Sequence, residues 1–413
     1  MRVGIDVVNV ERIAQLLQRS PRFATRVYTD RERSISEGKP ERFASRWAAK
    51  EAVRKLFGSS GEPMPGYGDI EVTGGANTAP GISIRGEAQD IALSLTHDAG
   101  IAIAVVADRR HPRGPALGEL PEHLRLPDRP ATANKGTFGR VLVVAGSRGF
   151  TGAPQLAARG AARAGAGLVT VAVPESIHAV VAAGCLEVMP APLPDGGSGV
   201  LSRDALDPLH GLLTHATSLV VGPGIGRDAA TWGFLEQVMS SLSCPAVIDA
   251  DALNLAAAAH FDWRRSPSPL VLTPHPAEMA RLTGMSTEQV QEQREALARR
   301  FAADNGVTLV LKGSETVVAA ADGRCHVDNH SVVALATGGT GDVLSGVIAA
   351  FIAQGLEPFE AAVAGVTVHA HAGLMVQARQ GRAGALASDV IEALPRAQER
   401  IRRALETALT ARK

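Results

Sequence analysis

The sequence lacks an excess of either charge: 42 Lys and Arg stand against 42 Asp and Glu. That balance excludes the broad positive field of a nucleic-acid binder, so any basic site must be local. Cysteine is scarce as well. Cys185, Cys244 and Cys325 lie far apart with no Cys-x-x-Cys spacing. This argues against a disulfide framework or a zinc site, and for small core residues in a reducing compartment. No uninterrupted apolar run is long enough to cross a bilayer. The opening MRVGIDVVNVERI breaks its first apolar run with charges, so no signal peptide is expected. Internal repeats are absent too. These absences leave a soluble, cytoplasmic protein without nucleic-acid or membrane partners, and 413 residues imply two or more domains.

What is present is organised around ATGGTGDVLSG, residues 336–346. A run of glycines opens directly into an apolar segment in which Val343, Leu344, Val347, Ile348, Phe351 and Ile352 recur at helical spacing. Gly355 and Pro358 mark its stop. The free N–H groups of Gly339, Thr340 and Gly341 and the positive end of the helix dipole therefore form an anion site. Asp342 would repel a phosphate there. It is either a helix cap or a base that takes a proton from a hydroxyl attacking a phosphoryl group.

Residues 108–135 are rich in proline and charge, which predicts a linker or surface arm and a boundary near residue 112. The domains expected are 1–112, a Pro-rich linker at 113–133, and 134–413. In the small domain, strand VGIDVVNV runs into a helix from Glu11 carrying Ile13, Leu16 and Leu17. A second helix is predicted over residues 42–57 and several mostly antiparallel strands follow, an α+β arrangement. Asp6 ends GID, and Glu51 sits on the second helix beside Lys50 and a turn before Lys55. Two such carboxylates suit Mg²⁺ on a diphosphate, but the pattern alone favours a strand-end turn residue and a solvated helix face.

GIDVVNVERI, RFASRWAAKEAVRKLFG and SLTHDAGIAIAVV, in that order, resemble the holo-acyl-carrier-protein synthase family of 4′-phosphopantetheinyl transferases. The resemblance implies Mg²⁺ held by Asp6 and Glu51, and a leaving group assisted by Lys55. It also implies coenzyme A contacts from Lys50 and His97, and an acidic acyl carrier protein docked on first-helix residues such as Arg12. The implied reaction belongs to fatty acid biosynthesis, and the family's site lies between subunits of a homo-oligomer. Asn9, where the family is commonly acidic, and the short stretch from Gly86 to Ser94 depart from the pattern. A non-catalytic docking or oligomerisation module is the alternative for this domain.

The large domain reads as βα units. Strand-bearing segments at 141–146, 168–174, 218–226, 246–255, 270–282 and 307–320 alternate with helical stretches, which predicts a doubly wound parallel sheet. GPGIG, DADALN, TPHP, KGSET and ATGGTGD each fall at a predicted strand end, so they converge on one rim, where such sheets bind ligands. His275 is locked between two prolines. Lys312, followed by glycine and hydroxyl residues, suits phosphate or ribose. Asp249 and Asp251 are a metal pair or strand-end caps. His369 and His371, two apart, read as packing residues.

NKGTFGRVLVVAGS, VVGPGIG, DADALN, LTPHPAE, LKGSET, TGGTGDVLSG and ALASDVIEALP resemble the ADP/ATP-dependent NAD(P)H-hydrate dehydratases of the ribokinase-like superfamily. Asn134 stands where that family often has His. The resemblance implies that Ala153, Gly224, Gly226, His275 and Asp342 contact the hydrated dinucleotide. It implies further that Lys312, Gly313, Ser314, Glu315, Thr316 and Gly341 hold ADP or ATP. The implied activity is nicotinamide-cofactor repair. A kinase of small alcohols within the same superfamily is the alternative.

Overall fold

The computed structural model describes residues 2–59, 63–74, 79–108, 117, 120–121 and 124–411. The chain divides into two compact units, Met1–Gly114 and Pro115–Lys413. The boundary expected near residue 112 lies outside the described residues, as does part of the 113–133 linker.

The first unit runs β1 (Arg2–Asn9), α1 (Val10–Arg19), α2 (Pro21–Val27), α3 (Asp30–Ser36), α4 (Pro40–Gly58), β2 (Ile70–Thr73), β3 (Gly81–Ile84), β4 (Glu87–Gln89), β5 (Ile91–Asp98) and β6 (Ile101–Asp108). Two antiparallel three-stranded sheets form, ordered β1-β6-β5 and β2-β3-β4. α4 lays Ala48, Ala49, Ala52, Val53 and Leu56 on Val8, Ala102, Ala104 and Val106. A side chain at Gly4 would strike the Ala52 carbonyl, so glycine lets strand and helix meet closely. The opposite face of β1 leaves Val3, Ile5 and Val7 exposed. Helices α2 and α3 were not expected. The signal for α3 was Thr29-x-x-Glu32, a capping box that the structure forms in both directions.

The second unit runs β7 (Arg140–Val144), α5 (Gly152–Arg163), β8 (Leu168–Pro174), α6 (Glu175–Ala183), β9 (Met189–Leu193), α7 (Leu206–Leu213), β10 (Ser218–Val221), α8 (Ala229–Ser240), β11 (Ala246–Ile248) and α9 (Asp251–Ala258). It continues β12 (Leu270–Leu272), α10 (Pro276–Thr283), α11 (Thr287–Glu292), α12 (Arg294–Asn305), β13 (Thr308–Leu311), β14 (Thr316–Ala319), β15 (Cys325–Asp328), α13 (Thr340–Ala353), α14 (Pro358–Gln380) and α15 (Ala387–Ala411). The nine-stranded sheet is ordered β15-β14-β13-β12-β11-β10-β7-β8-β9. From β9 to β13 it is parallel, but β14 and β15 close it as an antiparallel edge. The all-parallel expectation is corrected there, because KGSET is a short hairpin link with no room for a crossover helix.

Alternate residues of each strand feed two cores. Val141 and Val143 face α5, α13, α14 and α15, while Leu142 and Val144 face α7 to α10 and α12. The alanine-rich α5 packs closest on α13. Side chains at Gly160 or Gly346 would collide with the other helix's backbone, so small residues set that approach. α14 is long and apolar enough for a bilayer by length and composition, yet 78% of its apolar stretch is buried in the fold. The described part of the 113–133 stretch docks on this unit. Leu124 enters its core, Arg402 donates to Pro127 O at 3.1 Å, and His371 Nε2 meets Leu117 O at 2.7 Å.

Candidate functional site

Strand order reverses between β7 and β10, so the crevice at their carboxyl ends is the switch point where such sheets accept ligands. The loops after both strands are glycine-rich and tied together. Gly146 N donates to Pro223 O at 2.9 Å, and Ser147 Oγ donates to Gly224 O at 2.8 Å. Gly224 has φ +60, and a side chain there would strike Phe150 and Ala153. Gly226 N donates to Asp251 Oδ2 at 3.2 Å, with Arg227 on the other oxygen at 2.7 Å. Ala153, Gly224 and Gly226 thus share one backbone-lined wall.

Opposite stands the start of α13. Gly339, at φ +88, caps the helix with no side-chain acceptor. Thr340 turns its hydroxyl down onto Leu335 O and Thr337 O, at 2.8 and 2.9 Å, and so braces the loop rather than facing a ligand. Its N–H reaches Thr337 O at the long distance of 3.5 Å. The N–H groups of Gly341 and Asp342 have no acceptor among the described residues, as a helix N-terminus leaves them. His369 on α14 is buried, and burial pushes it down to about 4, so it stays neutral behind the loop.

Lys312, at the end of β13, bridges the walls. Its Nζ donates to Asp249 Oδ1 at 2.8 Å, and a side chain at Gly341 would meet that same nitrogen. Asp249 is only 1% exposed, and its other oxygen accepts Ser345 Oγ of α13 at 2.5 Å. One carboxylate therefore sets the distance between ammonium and helix N-terminus. Burial works against the Lys312 charge, but Asp249, Glu278 and Asp342 outweigh it and hold its pKa above the ordinary value. Burial, then the charge of Asp249, pushes half-buried Asp342 up to about 7 despite Lys312. Burial likewise takes Glu278 to about 7. Both carboxyls bind their protons more tightly folded than unfolded, so the stability they contribute is lost as pH rises through about 7.

Ala250 sits between Asp249 and Asp251 at φ +52 and ψ −120, a conformation unfavourable to a residue with a Cβ. That turn aims one aspartate at Lys312 and the other at Gly226. Asp249 and Asp251, left open as a metal pair or caps, here anchor an ion pair and a loop.

His275 caps α10, its Nδ1 accepting Ala277 N at 3.2 Å and Glu278 N at 3.3 Å. Burial and nearby Lys312 lower its pKa. Gly313, Ser314 and Glu315 are exposed in the β13–β14 link, and Thr316 opens β14. Arg294 of α12 supports that link, donating to Leu311 O at 2.8 Å and Glu315 O at 2.7 Å. A side chain at Gly313 would strike its guanidinium. Four residues, Asp249, Ser345, Glu278 and Arg294, escaped the sequence reading in these roles. Only Glu278, three after a cap position, left a local signal. ATGGTGD also reaches the rim as a returning helix rather than as the end of a parallel strand.

In the first unit Lys55 Nζ binds Asp6 Oδ1 at 2.7 Å and Ile5 O at 3.2 Å. Tyr67 OH donates to Glu51. Exposed His97 lies 3.3 Å from Ser45 Oγ, and Arg12 is exposed on α1. Lys50 is a correction. It is wholly buried, paired with buried Glu32 at 2.7 Å, and donates to Val27 O, Tyr67 O and Ile70 O. Burial lowers its pKa and Glu32 offsets part of that. An ammonium so enclosed has no donor left for coenzyme A. Lys50→Ala should therefore destabilise this unit by about 3–5 kcal/mol, because it strands the Glu32 charge. Denaturant unfolding checks this, and unchanged stability with lost coenzyme A binding would restore the ligand role.

The comparisons with known proteins follow the same division. Residues 2–106 match the family model of the 4′-phosphopantetheinyl transferase superfamily. The bifunctional NAD(P)H-hydrate repair enzyme Nnr of Moorella thermoacetica is 42% identical over 70% of this chain and 54% of its own. The ADP-dependent (S)-NAD(P)H-hydrate dehydratase of Neisseria meningitidis is 37% identical over 66% of this chain and 89% of its own. The Bacillus subtilis ADP/ATP-dependent NAD(P)H-hydrate dehydratase, co-crystallised with ATP/Mg²⁺, covers 67% of this chain and 94% of its own, with 29% identity and a TM-score of 0.58. The chain spans about half the length of the bifunctional relatives it matches. Residues 141–396 match the family model described as NAD(P)H-hydrate dehydratase, and the chain belongs to that family.

Proposed function

We propose that the second unit repairs hydrated nicotinamide cofactors, dehydrating (6S)-NAD(P)H hydrate with ADP to give NAD(P)H, AMP and phosphate. The observation that carries this reading is Asp342, half-buried at the glycine-capped start of α13 with Lys312 beside it. In its ionised form Asp342 takes the proton of the 6-hydroxyl as that oxygen attacks the β-phosphoryl group, and AMP leaves. Phosphate then departs with the C–O electron pair and a ring proton is lost, restoring the dihydropyridine. The N–H groups from Gly339 to Gly341 stabilise charge on the transferring group. Lys312, Gly313, Ser314, Glu315 and Thr316 hold the adenine nucleotide, while Ala153, Gly224, Gly226 and His275 hold the dinucleotide. ADP is favoured over ATP by the name of the Neisseria relative. Purified protein given hydrated NADH and ADP with Mg²⁺ should return nicotinamide absorbance and release phosphate. A stable phosphate ester on a small alcohol, with no such rise, would move the assignment to a kinase.

For the first unit the reading is transfer of 4′-phosphopantetheine from coenzyme A to an acyl carrier protein. No group of three or more His, Cys, Asp or Glu among the described residues is arranged around a metal. Two carboxylates nevertheless fit Mg²⁺, which takes one or two together with substrate phosphates. Asp6 and Glu51 would hold it, and the ion would neutralise the coenzyme A diphosphate. Lys55, already on Asp6, would supply the cation that a leaving phosphate needs, and His97 and Arg12 would offer contacts for nucleotide and carrier. The exposed Val3, Ile5 and Val7 favour a homo-oligomer through β1, and the chemistry suits the cytoplasm. Coenzyme A-dependent labelling of an apo carrier protein should disappear in Glu51→Ala. Labelling that survives this change would remove Glu51 from the metal site, and its absence from the unaltered chain would favour a docking module.

A further inference from the structure

We infer that Tyr67 is a positioning residue of the first unit, fixing the Glu51 carboxylate through one oxygen so that the other is left, still charged, for a divalent cation. This role rests on the transferase reading of that unit, which supplies the cation as Mg²⁺ on a diphosphate. Four side chains of α4 converge on Tyr67. Trp47, Lys50, Glu51 and Arg54 are related by the three- and four-residue steps that bring helix side chains together. The Trp47 ring stacks on Tyr67, with 5.0 Å between centroids and 17° between planes. The Arg54 guanidinium lies 4.1 Å from the centroid of the same ring. Buried Lys50 donates to Tyr67 O at 2.9 Å. The phenol, held in this way at backbone and ring, donates its proton to Glu51 Oε1.

Packing accounts for the ring and leaves the hydroxyl over. Phenylalanine would make the same stack on Trp47 and the same contact with the Arg54 charge. The Lys50 bond needs only a backbone carbonyl. The hydroxyl's single proton goes to Glu51, and Glu51 has no other side-chain partner among the described residues.

The choice of donor matters, because cations stand close by and are engaged elsewhere. Lys55, one turn on from Glu51, pairs with Asp6 at 2.7 Å, and Arg54 lies on the tyrosine ring. A lysine or arginine bound to Glu51 would orient it but cancel its charge, and an incoming metal ion would have to displace it. A phenol is neutral, so it fixes the direction of the carboxylate and leaves the negative charge in place. Metal-binding carboxylates gain this orientation from hydrogen bonds made behind them. The two carboxylates of the unit are therefore unequal: Lys55 already offsets Asp6, whereas Glu51 keeps its charge.

The test uses the full chain with Mn²⁺ as the probe, followed by electron paramagnetic resonance in the presence of coenzyme A. Binding that Glu51→Ala removes defines the site and separates it from ions held elsewhere on the chain. At that site Tyr67→Phe should weaken Mn²⁺ by about 10–100-fold, the usual effect of removing a group behind a metal ligand. Its melting temperature should hold, because the ring is kept. Carrier-protein labelling by Tyr67→Phe should be slow at low Mg²⁺ and recover at excess Mg²⁺, a rescue that a folding defect would not show. Tyr28→Phe is the matched control. It deletes the chain's other tyrosine hydroxyl, which donates to Phe43 O at 3.0 Å in the core of the same unit. That change should cost stability and leave Mn²⁺ affinity alone. Unchanged Mn²⁺ affinity in Tyr67→Phe, a loss that Tyr28→Phe reproduces, or unfolding of Tyr67→Phe would each overturn the inference. Mn²⁺ binding that survives Glu51→Ala intact would overturn the metal reading together with it, so the two failures are told apart. Metal binding is read without turnover, so an inactive transferase leaves this test standing.

Discussion

Asp342→Asn is expected to lower turnover by about 10²–10⁴, the usual worth of a positioned base. The amide is close in shape and keeps the start of α13, so KM for ADP should change little. The unaltered enzyme should also lose activity as pH falls through about 7, because burial and Asp249 hold Asp342 protonated below that point. Asp342→Asn should lack the part of this dependence that comes from the base. Single-turnover measurements across pH read both effects. Unchanged turnover in Asp342→Asn would remove this residue from the chemistry.

Asp249→Ala is expected to do the second greatest damage, through a residue whose side chain holds Lys312 and Ser345. Asp249 holds Lys312 at 2.8 Å and Ser345 at 2.5 Å, so it ties the end of β13 to the first turns of α13. Removing it leaves a mostly buried ammonium without its partner, a loss of about 3 kcal/mol or more in unfolding free energy. Ser345 keeps only its 3.0 Å bond to Gly341 O. With that tie gone, KM for the nucleotide should rise well beyond tenfold. The charge that most raises Asp342 is also removed, so residual activity should persist to lower pH. Asp249→Asn should retain the Ser345 contact and more of the stability. Unfolding curves and nucleotide titrations of the two variants distinguish an anchor from a residue that merely fills space.

Why these two residues differed in legibility is a matter of range. Asp342 lies directly after a glycine run and before an apolar helical stretch, so its position at a helix N-terminus followed from local spacing. Asp249 has no local signal of its role, because its partners lie 63 and 96 residues away. The same contrast separates the elements. β8 began and ended where its β-branched run does, at Leu168–Pro174. β9, carrying Pro190 and Pro192 in five residues, was missed because prolines suit only an edge strand, and edges are assigned by neighbours. Lys50 read as a surface charge beside Glu51. The fold turned it inward because Glu32 and three carbonyl groups were already gathered there.

The sequence by itself determined the two-part chain, the βα alternation and the glycine loops, since each depends on periodicity or on neighbours a few positions apart. Tertiary structure alone decided the antiparallel edge of the sheet, the crevice between β7 and β10, and the pairing of Lys312 with Asp249. It also decided the raised pKa values of Asp342 and Glu278. Strand order and desolvation arise from segments brought together across 63 to 96 residues at this site, and no local pattern encodes how much water a carboxyl group will lose.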